Sequence, residues 1–183
     1  RLLAIALTAF AFDAFAQEPI GSDTRQSIVQ RLTRGINVDV SLPEAGSPDK
    51  VLYEPAQYDA VRAAGFQSVR FFLSAADDPA IYTARINDAL DRGLIVVVCL
   101  WGRRHWASKP DEGVDEFVSI WNRIAEHYRD YPIDLVFELF NEPAGLFVKP
   151  GQRHGLKDGG TVMKYLNAAI PVIRKTNPNR VLA

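Results

Sequence analysis

Two adjacent polar residues, Asn141 and Glu142, stand at the end of an apolar run and are followed by Pro143. The run, residues 135–140, is rich in β-forming side chains and is typical of a strand buried on both faces of a parallel sheet. Proline donates no hydrogen bond to a neighbouring strand, so we expect the strand to end at this point and the chain to turn. The turn would let the carboxylate and the amide reach one cleft. The alternative is a capped strand end that leads into a loop.

Arg70 lies in the middle of a second apolar run, residues 68–73. Burying a guanidinium is costly unless it meets a carboxylate, so its position predicts an acidic partner inside the fold. The alternative is that Arg70 points outward, beneath the next helix. Asn37 has a similar position in an earlier predicted strand, where it is either a substrate contact or a hydrogen-bonded core amide.

An aromatic loop follows a third apolar run and contains Trp101, His105 and Trp106 beside Arg103 and Arg104. Flat aromatic faces stack on the apolar faces of sugar rings, so two tryptophans on a rim suit a polysaccharide cleft. Alternatively, they only plug the end of the fold. His105 either orients a catalytic carboxylate or is a solvated loop residue.

Other kinds of site find little support in the sequence. No His, Asp, Glu or Cys group shows metal-ligand spacing, so we predict neither a metal nor another cofactor. There is no G-x-S-x-G motif of a serine nucleophile. A carboxylate and an amide at a strand exit, with an arginine and an aromatic rim, suit cleavage of a glycosidic bond. That reaction needs one carboxyl group to protonate the leaving oxygen and a second to attack the sugar carbon.

The composition is that of an ordinary globular protein, with 48% hydrophobic and 23% charged residues and a net charge of -1. It provides no basic surface for nucleic acid, so none is predicted as a partner. The single cysteine, Cys99, lies inside an apolar run and is predicted to be a small buried hydrophobe.

The N-terminus resembles a secretory signal peptide. Arg1 precedes an apolar run over residues 2–12, and small residues at positions 14 and 16 predict cleavage after Ala16. The run is too short to span a bilayer. We therefore expect a signal peptide at 1–16, a mature N-terminal segment at 17–33, and a secreted or periplasmic protein that does not stay in the membrane. The alternative is an N-terminal core helix.

From residue 34 onward, apolar runs alternate with amphipathic segments, which predicts repeated strand-helix units and a parallel sheet. The predicted strands cover residues 35–40, 68–73, 94–100 and 135–143, and a fifth begins at 180. The predicted helices cover about 55–64, 79–93, 114–129 and 161–176. The spacing favours an α/β fold of the (β/α)8 TIM-barrel class, truncated at about the fifth strand, with residues 34–183 as the N-terminal half of a catalytic domain. A doubly wound sheet is less suitable, since no Gly-rich phosphate turn follows the first strand.

Four segments together resemble the cellulase-like glycoside hydrolase family 5. They are Arg34-Gly35-Ile36-Asn37, Val69-Arg70, Gly93-Leu94 and, most specifically, Phe137-Glu138-Leu139-Phe140-Asn141-Glu142-Pro143. Asn177-Pro178-Asn179-Arg180 supports the resemblance, which covers residues 34–183.

The resemblance implies a retaining β-glycanase with Glu142 as acid/base, Asn141 bonded to the sugar 2-hydroxyl and Arg70 near the nucleophile, a glutamate on a seventh strand outside this chain. The sequence departs from the family at one place. Trp101 stands where the family usually has a histidine just after the third strand, and His105 replaces it only if the loop folds back.

Together these observations predict a secreted, endo-acting, cellulase-like enzyme that hydrolyses a plant-type polysaccharide. We expect it to be monomeric when complete and inactive as the 183-residue chain alone. Two alternatives stay open: a carbohydrate-binding barrel without catalysis, and another TIM-barrel glycosidase of the same clan.

Overall fold

The computed structural model describes residues 22–38, 54–103, 105–106, 109–143 and 159–183. The predicted signal peptide, Arg104 and most of the segment between the fourth predicted strand and the last helix lie outside these ranges.

The described residues form a sheet of four parallel strands in chain order. The strands are β1, Gly35–Asn37; β2, Ser68–Ser74; β3, Ile95–Trp101; and β4, Leu135–Glu138. Beside β4, Leu182 forms a parallel bridge with Phe137, where a fifth strand was predicted to begin. The parallel order confirms the α/β prediction, and it shows no reversal of the kind that defines a doubly wound sheet.

Helix α1, Ser22–Leu32, precedes the first strand. The other helices lie near the predicted positions: α2, Ala56–Ala63; α3, Thr83–Asp91, preceded by a 3₁₀ turn at Pro79–Tyr82; α4, Pro110–His127; and α5, Gly159–Thr176. Helix α4 begins four residues before the predicted start, because Pro110 suits the first helical turn and two acidic residues follow it there. None of the helices in the described ranges is long and apolar enough to span a bilayer.

The two faces of the sheet have different roles, because successive strand side chains point to opposite sides. One face packs beneath the helices in the main hydrophobic core. Its strand residues include Val69, Phe71 and Leu73 of β2, Val96, Val98 and Leu100 of β3, and Leu135 and Phe137 of β4. The opposite face contains Arg70, Cys99 and Glu138, so the polar strand residues are kept out of the main core.

Helix α1 covers the beginning of this second face and was not predicted from the sequence. Ile28 packs with Ile95, Val97 and Val136 in a separate buried cluster. Arg31 donates one hydrogen bond to Asp134 at 2.9 Å and another to the carbonyl oxygen of Gly93 at 2.7 Å. The helix is therefore attached where β3 and β4 begin, away from the C-terminal ends of these strands.

The Asn177–Arg180 turn follows α5, and its first and last side chains are buried. Arg180 is 5% exposed, and it donates to the carbonyl oxygens of Tyr128 at 3.0 Å, Tyr131 at 2.9 Å and Leu135 at 3.0 Å. Asn177 donates to the carbonyl oxygen of Ala125 at 2.8 Å. Burial lowers the pKa of Arg180 to about 10, so it remains protonated at neutral pH. The turn thus joins the end of α4 to the start of β4.

We predict that Arg180→Lys will destabilise the protein by about 2–3 kcal/mol, because an ammonium cannot satisfy the same set of buried carbonyl groups. Arg129→Lys is the control, since Arg129 pairs with Glu126 on the surface and should change stability by less than about 0.5 kcal/mol. Thermal unfolding of the protein and of its two variants measures both effects. Equal melting temperatures for the two variants would contradict this assignment.

Candidate active site

An ion pair between β2 and β4 lies at the centre of the second face. Arg70 donates from Nε to Glu138 Oε2 at 2.5 Å and from Nη2 to Glu138 Oε1 at 2.6 Å. Both side chains are mostly buried, with 25% and 22% of their surfaces exposed. The hydrogen bonds to Glu138 raise the pKa of Arg70 and outweigh the opposing effect of burial. Glu138 is therefore the acidic partner that the position of Arg70 required.

Asn141 is attached to this ion pair at the exit of β4. Its Oδ1 accepts a hydrogen bond from Arg70 Nη2 at 3.0 Å, and its backbone N–H donates to the carbonyl oxygen of Leu100 at 3.0 Å. Because a guanidinium only donates, the amide oxygen must face Arg70. The Nδ2 hydrogens of Asn141 are then directed away from Arg70, and within the described ranges no residue accepts a hydrogen bond from them.

Glu142 follows in a left-handed backbone conformation, with φ of 44°. Among the described residues it is the only one other than glycine with a positive φ. Such a conformation costs about 1–3 kcal/mol, and strain of this kind is often found at functional sites. Glu142 is exposed, and within the described ranges no residue donates a hydrogen bond to its carboxylate. The chain thus turns sharply at the expected place and leaves this carboxylate accessible.

Asn37 and Cys99 lie next to Arg70 on the second face. Arg70 Nη1 is 3.5 Å from Asn37 Oδ1, and Nη2 is 3.2 Å from Cys99 Sγ. Burial raises the pKa of the Cys99 thiol, which therefore stays protonated and is a poor nucleophile. Cys99 is fully buried, as the sequence predicted. Asn37 adds an exposed amide at the edge of the group.

Trp101 ends β3 beside this group and is 53% exposed. Its ring packs edge-on against Phe72, with the ring centroids 4.8 Å apart. The guanidinium carbon of Arg70 lies 4.7 Å from the centroid of the same phenylalanine ring. Phe72 therefore links the exposed indole to the ion pair.

Trp106 has a different environment, because it is fully buried. Its ring packs against Phe117 at 5.6 Å, Phe140 at 5.8 Å and Tyr165 at 5.9 Å between centroids. These contacts place Trp106 in the main core, with no face available for a sugar. Its position agrees with the alternative in which a tryptophan plugs the end of the fold.

His105 faces helix α4 rather than the Asn141–Glu142 pair. Its Nε2 lies 2.6 Å from Glu116 Oε2, which also accepts a hydrogen bond from Trp106 Nε1 at 2.6 Å. Arg103 Nη1 is 3.3 Å from Glu116 Oε1. Burial alone would raise the pKa of Glu116, but the hydrogen bonds from Trp106 and His105 and the charge of Arg103 lower it below its ordinary value. Glu116 therefore anchors the aromatic loop to α4.

Two residues of this region, Glu138 and Glu116, were not singled out from the sequence, and neither was the contact between Arg70 and the Cys99 sulfur. Glu138 carries a detectable signal, since it is an ionisable residue inside an apolar strand, as is Arg70. Within the described ranges, no group of three or more His, Cys, Asp or Glu residues is arranged to hold a metal ion. The described residues at the exit of β4 provide carboxylate, amide, guanidinium and aromatic groups.

Comparisons with known proteins identify the family and the fold of the chain. The family model described as "Cellulase (glycosyl hydrolase family 5)" matches residues 54–183. Endoglucanase B of Clostridium cellulovorans is 26% identical over 189 residues, which cover 91% of this chain and 43% of the relative. The chain thus spans less than half the length of that relative.

Solved structures of Thermotoga maritima Cel5A show the same architecture. The complex with cellobiose has a TM-score of 0.66 at 28% identity, and the match covers 84% of this chain and 52% of Cel5A. The complex with mannotriose has a TM-score of 0.66 at 27% identity, with the same coverage. These similarities confirm the predicted barrel class.

We predict that Glu116→Gln will flatten the acid side of the stability profile. Because the folded-state pKa of Glu116 is lowered, its stabilising effect is complete above the unfolded value of 4.5 and is lost as the pH falls through the lower folded value. Melting temperatures measured between about pH 2 and pH 6 test this. The unchanged protein should lose more stability on acidification than the variant.

Glu112→Gln is the control. Glu112 lies on the same helix as Glu116, but it pairs with exposed Lys109 rather than with the residues that contact Glu116. We expect its melting profile to follow that of the unchanged protein. A Glu116→Gln profile parallel to both would show that the carboxylate does not anchor the loop.

Proposed function

Because the chain belongs to the cellulase family, glycosyl hydrolase family 5, we propose that the protein is an endo-acting glycoside hydrolase that cleaves β-1,4-linked glucan with retention of configuration. The observation that carries the proposal is the pair at the exit of β4. Glu142 is exposed in a strained turn, and Asn141 beside it is fixed by Arg70.

In the proposed mechanism Glu142 acts twice. Its carboxylic acid first donates a proton to the glycosidic oxygen as the bond to the sugar breaks. The resulting carboxylate then removes a proton from the water that releases the sugar from the enzyme. Both steps need a carboxyl group that can approach the substrate, which the exposure of Glu142 supports.

Retaining hydrolysis also needs a second carboxylate as the nucleophile, about 5–5.5 Å from the first. Glu138 is unsuitable, because both of its oxygens accept hydrogen bonds from Arg70. We propose that the nucleophile is a glutamate on a seventh strand, outside this chain.

The neighbouring residues would hold the sugar. We propose that the Asn141 Nδ2 group donates a hydrogen bond to the 2-hydroxyl and that exposed Trp101 offers its face for stacking. Asn37 would provide a further amide at the edge of the cleft. In this proposal His105 supports the aromatic loop through Glu116, rather than contacting the reacting groups.

The substrate class rests on the relatives. Structures of Cel5A contain cellobiose in one case and mannotriose in another. We propose that this protein acts on β-1,4-linked polysaccharides of plant-cell-wall type and accepts gluco- and manno-configured chains. The predicted signal peptide at 1–16 would export it to its polymeric substrate.

We predict that Glu142→Gln will lower kcat on cello-oligosaccharides by about 10²–10⁴-fold, because the amide cannot donate the required proton. For an aryl cellobioside with an acidic phenol leaving group, kcat/KM should fall less, because it reports the step in which the phenol departs and that departure needs little protonation. Reducing-sugar release and calorimetric binding of cellotetraose measure the two effects, and binding should be nearly unchanged.

Glu126→Gln is the control, because Glu126 is in the last turn of α4, which leads to the start of β4 rather than to its exit. It should keep the activity of the unchanged protein. Full turnover by Glu142→Gln would overturn the proton-donor role. Binding of cellotetraose without hydrolysis by the unchanged protein would favour a carbohydrate-binding barrel.

A further inference from the structure

We propose that Glu138 is a positioning residue for the reaction, because it holds Arg70 in the one orientation that directs the amide of Asn141 toward the substrate. This inference rests on the proposed function. It assigns Glu138 no contact with the sugar and no proton transfer.

The first step in the chain of contacts is the fork between Glu138 and Arg70. Two parallel hydrogen bonds, at 2.5 and 2.6 Å, fix both the position and the plane of the guanidinium. One hydrogen bond would allow the plane to rotate about it. Glu138 therefore determines where the remaining Arg70 hydrogens point.

The second step is the contact between Arg70 and Asn141. Nη2 has two hydrogens and lies 2.6 Å from Glu138 Oε1, 3.0 Å from Asn141 Oδ1 and 3.2 Å from Cys99 Sγ. The two oxygens are the stronger acceptors, so the sulfur receives at most a shared hydrogen bond. With Glu138 in place, one Nη2 hydrogen is aimed at Asn141.

The third step concerns the orientation of the amide. The backbone of Asn141 is fixed by its hydrogen bond to Leu100, but that bond does not determine which end of the amide faces the cleft. Within the described part of the chain, Arg70 is the only residue that bonds to the Asn141 side chain. If Arg70 moves, the amide is free to turn and present its oxygen, which cannot donate to a sugar hydroxyl.

Glu138→Gln tests the proposal with little change in volume. A glutamine amide accepts through one oxygen only, and its NH₂ group opposes the second Arg70 donor, so the fork is lost. We expect kcat on cello-oligosaccharides to fall by about 10²-fold, as is typical of a small misplacement of a group that contacts the substrate.

The substrate can show whether the loss passes through Asn141. An aryl cellobioside that lacks the 2-hydroxyl at the reacting sugar cannot use the proposed Asn141 contact. On the normal aryl cellobioside, Glu138→Gln should lower kcat by about 10²-fold. On the 2-deoxy compound, the same variant should lower kcat by less than about 2-fold. A loss that is equally large on the 2-deoxy compound would overturn the proposal.

Asp134→Asn is the matched control. Asp134 pairs with Arg31 at 2.9 Å, and the two side chains are 33% and 32% exposed. It lies immediately before the first residue of β4, at the opposite end from Glu138. Breaking this ion pair should leave kcat unchanged on both substrates. An equal loss in the two variants would mean that Glu138 only stabilises the fold.

Two further measurements distinguish positioning from folding and from the proposed function. If Glu138→Gln unfolds, the double variant Arg70→Met with Glu138→Met removes both charges together. It should fold and still lose about 10²-fold in kcat, whereas normal kcat would overturn the proposal.

NMR of the Asn141 side-chain amide needs no activity: its resonances should shift in Glu138→Gln and not in Asp134→Asn. Unshifted resonances would refute the positioning role, and an unchanged protein that cleaves no β-glucan would refute only the proposed function.

Discussion

The ion pair between Arg70 and Glu138 is the interaction on which the candidate site depends. A guanidinium inside an apolar sheet is tolerated only when its charge is balanced and its N–H groups are hydrogen-bonded. Glu138, two strands away, provides the opposite charge and accepts two of the hydrogen bonds. Removing either partner would leave a mostly buried charge without its counterion. The same guanidinium holds the side chain of Asn141, so one ion pair affects both the packing of the strands and the orientation of the amide that we propose to bind the sugar.

The rest of the fold keeps this pair on the second face of the sheet, next to the exits of the strands. Alternation along β2, β3 and β4 sends one set of side chains into the main core and the other toward the pair. Helix α1 packs where β3 and β4 begin, through Ile28 and Arg31. Arg180 stabilises the start of β4 through hydrogen bonds to buried carbonyl groups. The strand exits are left for Trp101, Asn141 and Glu142.

Local patterns predicted much of this arrangement. Apolar runs of strand length gave the strands, and polar residues at their ends or inside them indicated Asn141, Glu142 and Arg70. Contacts between segments that are far apart in the chain could not be predicted from local patterns. Trp106 and His105 are neighbours in one loop, but Glu116 on the following helix binds both while one is buried and the other exposed. Helix α1 was missed because its burial depends on strands that lie far ahead in the sequence.

A crystal structure of the protein carrying Glu142→Gln and soaked with cellotetraose would test the proposed site most directly. We predict that the oligosaccharide crosses the exit of β4, with a glycosidic oxygen within hydrogen-bond distance of residue 142. The Asn141 Nδ2 group should donate to the 2-hydroxyl of the adjoining sugar while Oδ1 stays bonded to Arg70. An oligosaccharide bound away from this edge, or an Asn141 amide turned with its oxygen toward the sugar, would contradict the assignment.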